Sequence, residues 1–153
     1  MEMLANMSSS RVATLIESIS VKYGRNFRQV DHCHWRYEVM TEPGRSQVVF
    51  LIYKEQTSGD KDVSRLIAES PIGPLHRGFD YEAVLRKNSQ LDVGAICIND
   101  LRDEDNLVVV PYLTLRATHL APTADFEEVW ELIDKVGCVA DQLEKELFVR
   151  DLH

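Results

Sequence analysis

Apolar residues at helical spacing predict the first regular element of the chain. Five of them recur at three- and four-residue steps, which is the pattern of one helix face: Val12, Leu15, Ile16, Ile19 and Tyr23. The serine run at 8–10 precedes them and offers N-cap hydroxyls. Gly24 stands where a left-handed residue ends a helix. We therefore predict a helix that begins in the serine run and ends at Gly24, after a flexible tail at residues 1–7.

The period then changes from that of a helix to that of a strand. Residues 33–39 alternate between apolar and polar, which is typical of a half-buried strand. Pro43 and Gly44 follow, the residue types that a type II turn requires. Residues 47–53 are apolar on both faces. These two runs predict a hairpin.

Prolines divide the middle of the chain. A third strand is expected at 63–68, and the two prolines at 70–75 favour a rigid connector over an interior strand. Asp80 is placed to cap a short second helix. A fourth strand at 93–98 and a fifth at 107–115 follow, separated by an acidic turn at 99–106. Pro111 implies a bulge or an unpaired edge in the fifth strand.

The last helix has the strongest pattern. Asp125 and Glu128 form a variant of the capping box. A stripe of apolar residues then extends to Leu147 at three- and four-residue steps. The element order αβββαββα predicts an α+β fold with a five-stranded antiparallel sheet and three helices. We expect a single domain at residues 8–150.

Composition and charge restrict the classes of partner. The chain has 153 residues and a net charge of −8, with 17 Lys plus Arg against 25 Asp plus Glu. Nucleic acid and anionic membranes are disfavoured as partners, because both attract clustered cations. No apolar run is long enough to span a membrane, and residues 1–10 lack a secretory pattern. The expected location is the cytoplasm.

The cysteines and histidines give little sign of chemistry. Three distant cysteines without a CxxC pair predict reduced, mostly buried thiols rather than a disulfide framework or zinc site. On a strand, His32 and His34 share one face, and Cys33 points to the other. A metal site would need a further ligand from His76 or His119, so two exposed histidines are the simpler interpretation. The motifs of common nucleophile, phosphate and dinucleotide sites are absent. We predict no enzyme and no cofactor.

Surplus apolar residues suggest a protein partner. The last helix carries Leu132, Val139 and Phe148 outside its main stripe, and the second strand is apolar on both faces. One sheet covers only one face of a helix, and an open sheet leaves a face and two edges to protect. A second subunit or a client segment would cover such a surface.

Four segments carry a resemblance to a known group of proteins. They are SPIGPL at 70–75, YEAVLRKN at 81–88, the strand containing Gly94, and ADQLE at 140–144. With the element order, the chain resembles the YbjN-type and type III secretion chaperone-like superfamily over residues 8–148. The resemblance implies a small acidic protein, usually dimeric and without catalytic residues. Secretion chaperones of this type bind an extended client segment, whereas YbjN-type relatives are described as regulators or stress-linked proteins.

These expectations combine into one functional hypothesis and two alternatives. The hypothesis is a non-enzymatic homodimer that shelters an apolar segment of a protein partner by sheet extension and groove contacts. Its candidate partner-binding residues are Val49, Leu51, Ile67, Ile72 and Leu75. One alternative is a YbjN-type regulatory or stress-linked domain. The other is a small metal-binding protein that uses His32 and His34.

Overall fold

The computed structural model describes residues 2–102 and 108–148. They fold into an antiparallel sheet with helices on one face. Within these ranges the helices are α1, α2 and α3, at Glu2–Tyr23, Tyr81–Lys87 and Phe126–Phe148. The main sheet has six strands in the order β1-β2-β3-β6-β8-β7. They are β1 Phe27–Asp31, β2 His34–Glu42, β3 Arg45–Lys54, β6 Arg65–Pro74, β7 Ala95–Arg102 and β8 Val109–Leu120. A separate two-stranded hairpin comprises β4 Thr57–Ser58 and β5 Lys61–Asp62.

The first helix begins earlier than its apolar pattern suggests. It starts at Glu2, so residues 2–7 are helical and the serine run lies inside α1 rather than at its cap. Glu, Met, Leu and Ala at positions 2–5 all have high helix propensity, which extends the helix beyond its apolar stripe. The predicted start of the helix in the serine run was wrong. The C-terminal end is confirmed, because α1 ends at Tyr23 and Gly24 has a φ of 55°.

The expected α+β class and three helices are confirmed for the described residues, but the five-stranded sheet is wrong. The additional strand is β1, which pairs antiparallel with β2 from Phe27 opposite Tyr37 to Asp31 opposite His34. Four of its five residues are exposed and only Phe27 packs against the core, so this edge strand has no continuous apolar face. Without that face it lacks the alternation by which a strand is recognised in a sequence.

The hairpin predicted for residues 33–39 and 47–53 is confirmed, and it consists of β2 and β3. β2 and β3 pair antiparallel from His34 opposite Ile52 to Glu42 opposite Arg45. The turn between them contains Gly44 with a φ of 76°, a conformation that L side chains rarely adopt. The hairpin orients Tyr37 and Val39 towards the helices, where both are buried.

The proline segment is part of a strand and not a connector. β6 continues through Pro74 and pairs with β8 along its length, with a register shift between Pro71 and Gly73. β3 pairs with β6 only as far as Phe50 opposite Glu69. Residues 70–74 therefore pair with β8 but not with β3. On the side of β3, the N–H groups that the two prolines lack would have no strand to bond to.

Side chains bridge the gap that this early separation of β3 and β6 leaves. Ser70 Oγ donates a hydrogen bond to the Val48 carbonyl at 2.6 Å. Gln47 Nε2 donates to Ser70 Oγ at 3.1 Å and to the Pro71 carbonyl at 2.6 Å. The buried backbone beside the prolines thus keeps polar partners.

The last two strands are longer than expected. β7 continues to Arg102 through part of the predicted acidic turn, whose residues 103–106 lie outside the described residues. β8 extends to Leu120, and Pro111 pairs in register with Asp100 of β7. The last β6 residue opposite β8 is Pro74, at Tyr112. Pro111 lies beyond that ladder, but its carbonyl still accepts a hydrogen bond from the Leu75 N–H at 2.9 Å. The predicted bulge or unpaired edge at Pro111 was therefore wrong, and the register shift lies in β6, between Pro71 and Gly73.

The core lies between the sheet and α3. The capping box is confirmed, because Glu128 N–H donates to Asp125 Oδ1 at 2.9 Å and Asp125 N–H to Glu128 Oε2 at 3.2 Å. α3 crosses β2, β3, β6 and β8, and α1 packs against α3. Three apolar residues that seemed surplus are half-buried against this core: Leu132, Val139 and Phe148. α3 therefore presents no large free apolar face.

Candidate functional site

The face of the sheet opposite α3 carries a broad groove, which we call the open face. Its volume is about 910 Å³, and every residue that lines it belongs to a strand. Apolar side chains from five strands form its floor: Val30, Val48, Phe50, Ile52, Pro71, Leu101, Val110 and Tyr112. Helices cover one face of the sheet, so this second apolar face is available for a macromolecular contact.

Strand β3 explains why both faces are apolar. Val49 and Leu51 point to the helices and are 0% exposed, whereas Phe50 and Ile52 are half-buried on the open face. Successive side chains of a strand point to opposite faces, so a continuous apolar run serves two surfaces. The run at 47–53 thus places apolar side chains on both faces of the sheet, as its composition indicated.

The residues predicted to bind a partner lie mostly in the core. Val49, Leu51 and Ile72 are buried there, and Leu75 packs half-buried against it. Ile67 lies on the open face, in register with Ile52, but its neighbours bury it. In this structure, Val49, Leu51 and Ile72 have no surface for a partner.

The accessible side chains are the alternate residues of the same strand. Val48, Phe50 and Ile52 are half-buried and line the groove. The sequence does contain the signal, namely the apolar run on both faces. Only the position of the helices shows which alternate set is free.

A carboxylate lies near the centre of the open face. Glu69 of β6 is buried, and its Oε2 accepts a hydrogen bond from Asn99 Nδ2 at 2.6 Å. Arg116 Nε lies 3.7 Å from the same oxygen. A buried charge is tolerated when it is paired and hydrogen-bonded. This network holds β6, β7 and β8 together beneath the groove.

Among residues 2–102 and 108–148, cations outnumber carboxylates on this side of the sheet. Six cations lie on the open face, as strand alternation or the groove lining shows: Arg28, Arg36, Lys54, Arg65, Arg102 and Arg116. By the same criteria three carboxylates lie on it: Asp31, Glu38 and Glu69. The local excess is positive, opposite in sign to the net charge of −8. The open face is therefore suited to an acidic partner.

The turn between β1 and β2 contains the histidine and cysteine residues in a different arrangement from the predicted one. Cys33 lies in the turn, so its Sγ approaches His34 Nδ1 to 3.2 Å. His34 Nδ1 is 2.9 Å from Asp31 Oδ1, which also accepts the Cys33 N–H at 2.8 Å. The expectation that Cys33 and His34 point to opposite faces was wrong, because strand alternation does not apply in a turn.

These contacts shift two pKa values. The hydrogen bond from the Cys33 backbone, supported by His34, holds the pKa of Asp31 well below its ordinary value. Burial raises the pKa of the Cys33 thiol, and the nearby Asp31 raises it further. The Cys33 thiol is therefore a weaker acid than a free cysteine, which does not favour a nucleophilic role.

Neither His76 nor His119 joins His32 and His34, as the metal-binding alternative would require. His76 stacks on Phe79 with ring centroids 4.0 Å apart, and His119 Nε2 lies 3.3 Å from Glu128 Oε2. Over residues 2–102 and 108–148, the one cluster with metal-ligand spacing is Asp31, Cys33 and His34. His32 is not part of it.

The thiols are free, as predicted, but less buried than predicted. Cys33 and Cys97 are half-buried, and Cys138 is exposed. Cys97 belongs to the open face, and Cys138 lies on α3, away from the apolar stripe. Apolar neighbours in the sequence are therefore a poor guide to their burial.

A second apolar surface lies between α2 and β7, the edge strand at the end of the sheet opposite β1. We call this surface the α2–β7 edge. Tyr81, Leu85 and Ile98 are 43%, 62% and 55% exposed there. With Val84, Ile96, Cys97 and Leu113 they line an apolar cavity of about 340 Å³. β7 is an edge strand, so its outer backbone groups lack a neighbouring strand.

Asn88 protects part of this edge. The Ile96 N–H donates to Asn88 Oδ1 at 2.6 Å, and Asn88 Nδ2 donates to the Ile96 carbonyl at 3.5 Å. The amide side chain thus takes the place of a neighbouring strand at Ile96. Residues 98–102 remain beyond it.

In residues 2–102 and 108–148, no helix has the length and apolar character needed to cross a membrane. No protein-family model matches the chain. No curated protein matches it in sequence either.

Proposed function

We propose that this chain is a protein-binding module that acts as a homodimer and shelters an apolar, acid-flanked segment of a partner protein. The open face receives the partner segment, and the α2–β7 edge joins the two copies. The observation that carries the proposal is the apolar groove on a sheet whose other face is already covered by helices. The module performs no catalytic step.

The groove favours a segment with one apolar side. Phe50 and Tyr112 supply aromatic contacts and Leu101 supplies an aliphatic one. Tyrosine and arginine are enriched among the residues that dominate binding energy at interfaces. Arg36 and Arg102 line the same groove, and opposite charges on the partner would fix its register. A two-fold contact between two copies through this face would place one positive surface against another, so a second copy is a poorer occupant.

The α2–β7 edge favours a second copy of the chain. Exposed Leu85 and Ile98 lie beside an edge strand, and a two-fold axis places the same patch on both copies. Antiparallel pairing of two β7 strands would satisfy backbone groups at residues 98–102 and cover the neighbouring apolar side chains.

The partner proposal is tested with two matched fluorescein-labelled peptides. Both have the same leucine-rich apolar face, and one is flanked by glutamates and the other by lysines. Fluorescence polarisation at low salt should show at least about tenfold tighter binding of the acidic peptide, and added salt should reduce the difference. Equal affinity for both peptides would contradict the proposal.

The variant Phe50→Glu locates the binding surface. It places a carboxylate in the groove and should abolish binding of the acidic peptide. The control Val21→Glu changes a residue that is 79% exposed on α1 and should leave binding unchanged. Circular dichroism confirms that both variants are folded. Unchanged binding by folded Phe50→Glu would remove the open face from the proposal.

Light scattering after size exclusion tests the homodimer. The expected mass is near twice 17.5 kDa, and Leu85→Glu should give a monomer, whereas Val21→Glu should remain a dimer. A monomeric wild-type chain would contradict the dimer. A dimer that dissociates with Phe50→Glu and not with Leu85→Glu would assign the open face to the subunit contact instead.

A further inference from the structure

The turn of the β1–β2 hairpin brings together three different metal-ligand types. Asp31, Cys33 and His34 each offer one ligand atom, and these atoms lie within 4.8 Å of one another. We propose that this turn binds a zinc ion, or a divalent ion of similar preference, through Asp31 Oδ1, Cys33 Sγ and His34 Nδ1. Asp31 and His34 also line the groove of the open face, but the metal proposal does not depend on the protein-binding function proposed above.

The distances between ligand atoms fit a small tetrahedral ion. Zinc binds sulfur at about 2.3 Å and nitrogen or oxygen at about 2.0 Å, so tetrahedral ligand atoms lie roughly 3.3–3.6 Å apart. Here His34 Nδ1 is 3.2 Å from Cys33 Sγ and 2.9 Å from Asp31 Oδ1. Both distances are somewhat shorter than these values, and all three ligand atoms lie within 4.8 Å of one another, so binding of an ion would move the side chains slightly apart.

The types of ligand atom select the class of ion. A thiolate and an imidazole are ligands that zinc prefers, whereas magnesium and calcium prefer oxygen ligands. Three protein ligands leave a fourth tetrahedral position for water or another group. On coordination, the metal ion replaces the thiol proton of Cys33, which passes to solvent. No electron is transferred.

The hairpin holds these ligands in place. The Cys33 N–H donates to Asp31 Oδ1 at 2.8 Å, which fixes the carboxylate towards the turn. The Tyr53 N–H donates to the Cys33 carbonyl at 2.9 Å, which ties the turn to β3. Such hydrogen bonds position metal ligands and reduce the ordering that binding requires.

The test is a cobalt titration of the reduced full-length chain, followed by zinc analysis after dialysis. Cobalt is a spectroscopic substitute for zinc, and a cysteine thiolate ligand produces a charge-transfer absorption band. We expect one cobalt ion per chain with this band, and one zinc ion per chain retained after dialysis. Absence of the band, or zinc well below one per chain, would overturn the proposal.

Matched variants assign the ligands. Cys33→Ser should abolish the band, and Asp31→Asn and His34→Asn should each weaken cobalt binding at least about tenfold. The controls Cys97→Ser and His32→Asn change the same residue types outside the cluster and should bind like wild type. Circular dichroism without metal shows whether each variant is folded. A band that survives in folded Cys33→Ser, or is lost in either control, would overturn the assignment.

Discussion

Gly137 of α3 lies directly against Val39 of β2. A Cβ atom built on Gly137 would lie 2.9 Å from the Val39 Cβ and 3.1 Å from each of its methyl carbons. Both residues are buried, and Val39 is a stiff β-branched residue in the middle of the sheet. The absence of a side chain at 137 therefore sets how closely α3 approaches the strands.

The substitution Gly137→Ala should destabilise the fold. Alanine gains up to about 1 kcal/mol of helix propensity over glycine. The added methyl group forces α3 away from β2, and overpacking of this kind costs typically about 1–3 kcal/mol. We expect a net loss of stability, measured as a lower urea midpoint with an unchanged slope.

A double-mutant cycle identifies the contact responsible. Val39→Ala alone should destabilise by leaving a cavity, but combined with Gly137→Ala the two changes should compensate in part. Additive effects of the two substitutions would show that Gly137 is required for some other reason.

The buried Asp141 should make stability depend on pH in acid. It is 3% exposed on α3, and its carboxylate accepts hydrogen bonds from Arg45 and, at 3.2 Å, from Lys145. Burial raises its pKa, but the hydrogen bonds from Arg45 and Lys145 outweigh this and leave the pKa below the ordinary 3.8. The resulting stability is fully present above the unfolded pKa and is lost as pH falls through the folded one.

The variant Asp141→Asn tests this network. It leaves Arg45 without its buried partner, at a cost of roughly 1–3 kcal/mol at neutral pH. This is less than the ~3–5 kcal/mol of a fully buried pair, because Arg45 is 37% exposed. Urea unfolding between pH 7 and pH 3 should show a smaller loss in the variant than in wild type. Glu131→Gln, in an exposed pair with Lys135, is the control. A loss in Asp141→Asn as steep as in wild type would contradict the interpretation.

The buried Tyr37 and the half-buried Tyr23 should make the fold sensitive to alkali. Burial raises the pKa of Tyr37 from 10.0 to about 12, and burial together with Asp134 raises the pKa of Tyr23 further. A raised folded pKa gives stability that is present below the unfolded value and is lost as pH rises through the folded one. Each ring should contribute a loss of up to about 1.4 kcal/mol per pH unit above pH 10.

The measurement is tyrosinate absorbance recorded together with far-ultraviolet circular dichroism from pH 9 to pH 12. Ionisation of Tyr37 should coincide with unfolding. Tyr37→Phe loses a hydrogen-bonding contact of 3.3 Å to Ser20 but should show a shallower alkaline decline. If the Tyr37 signal, taken as the difference from Tyr37→Phe, titrates near pH 10 in the folded chain, the ring is not buried as described.

The sequence predicted those elements whose patterns are local. The capping box at Asp125 and Glu128, the cap at Asp80 and the turn at Gly44 depend on residues within four positions of one another, and all are present. β1 was not predicted because its residues lack the apolar–polar alternation of a strand. Its pairing with β2, which the local sequence does not show, makes it a strand. The segment with Pro71 and Pro74 was predicted to be a connector, but it is part of β6. β6 tolerates these prolines because its pairing with β3 ends at Glu69, and that end point depends on the whole sheet rather than on the local sequence.

The candidate sites were predicted less well, for the same reason. The composition of β3 shows that it has an apolar residue on each face of the sheet. Whether Val49 or Phe50 is accessible to a partner, however, depends on the face against which α3 packs. The contact of Cys33 with His34 depends on whether a turn or a strand holds them, a difference of one residue in the start of β2. Local patterns rarely determine element boundaries to that accuracy.

The side chain of Asn88 should protect the chain against uncontrolled edge pairing. Its amide bonds both backbone groups of Ile96 on the outer edge of β7. Asn88→Ala would leave these groups unpaired beside exposed Ile98, and edge strands of this kind promote association. We expect a loss of roughly 1–2 kcal/mol in stability and aggregation beyond the dimer, measured by urea unfolding and light scattering. The control Ser89→Ala removes a neighbouring hydroxyl whose hydrogen bond, at 2.9 Å, goes to the Arg86 carbonyl and not to β7. Unchanged mass and stability in Asn88→Ala would show that the edge is protected by other residues.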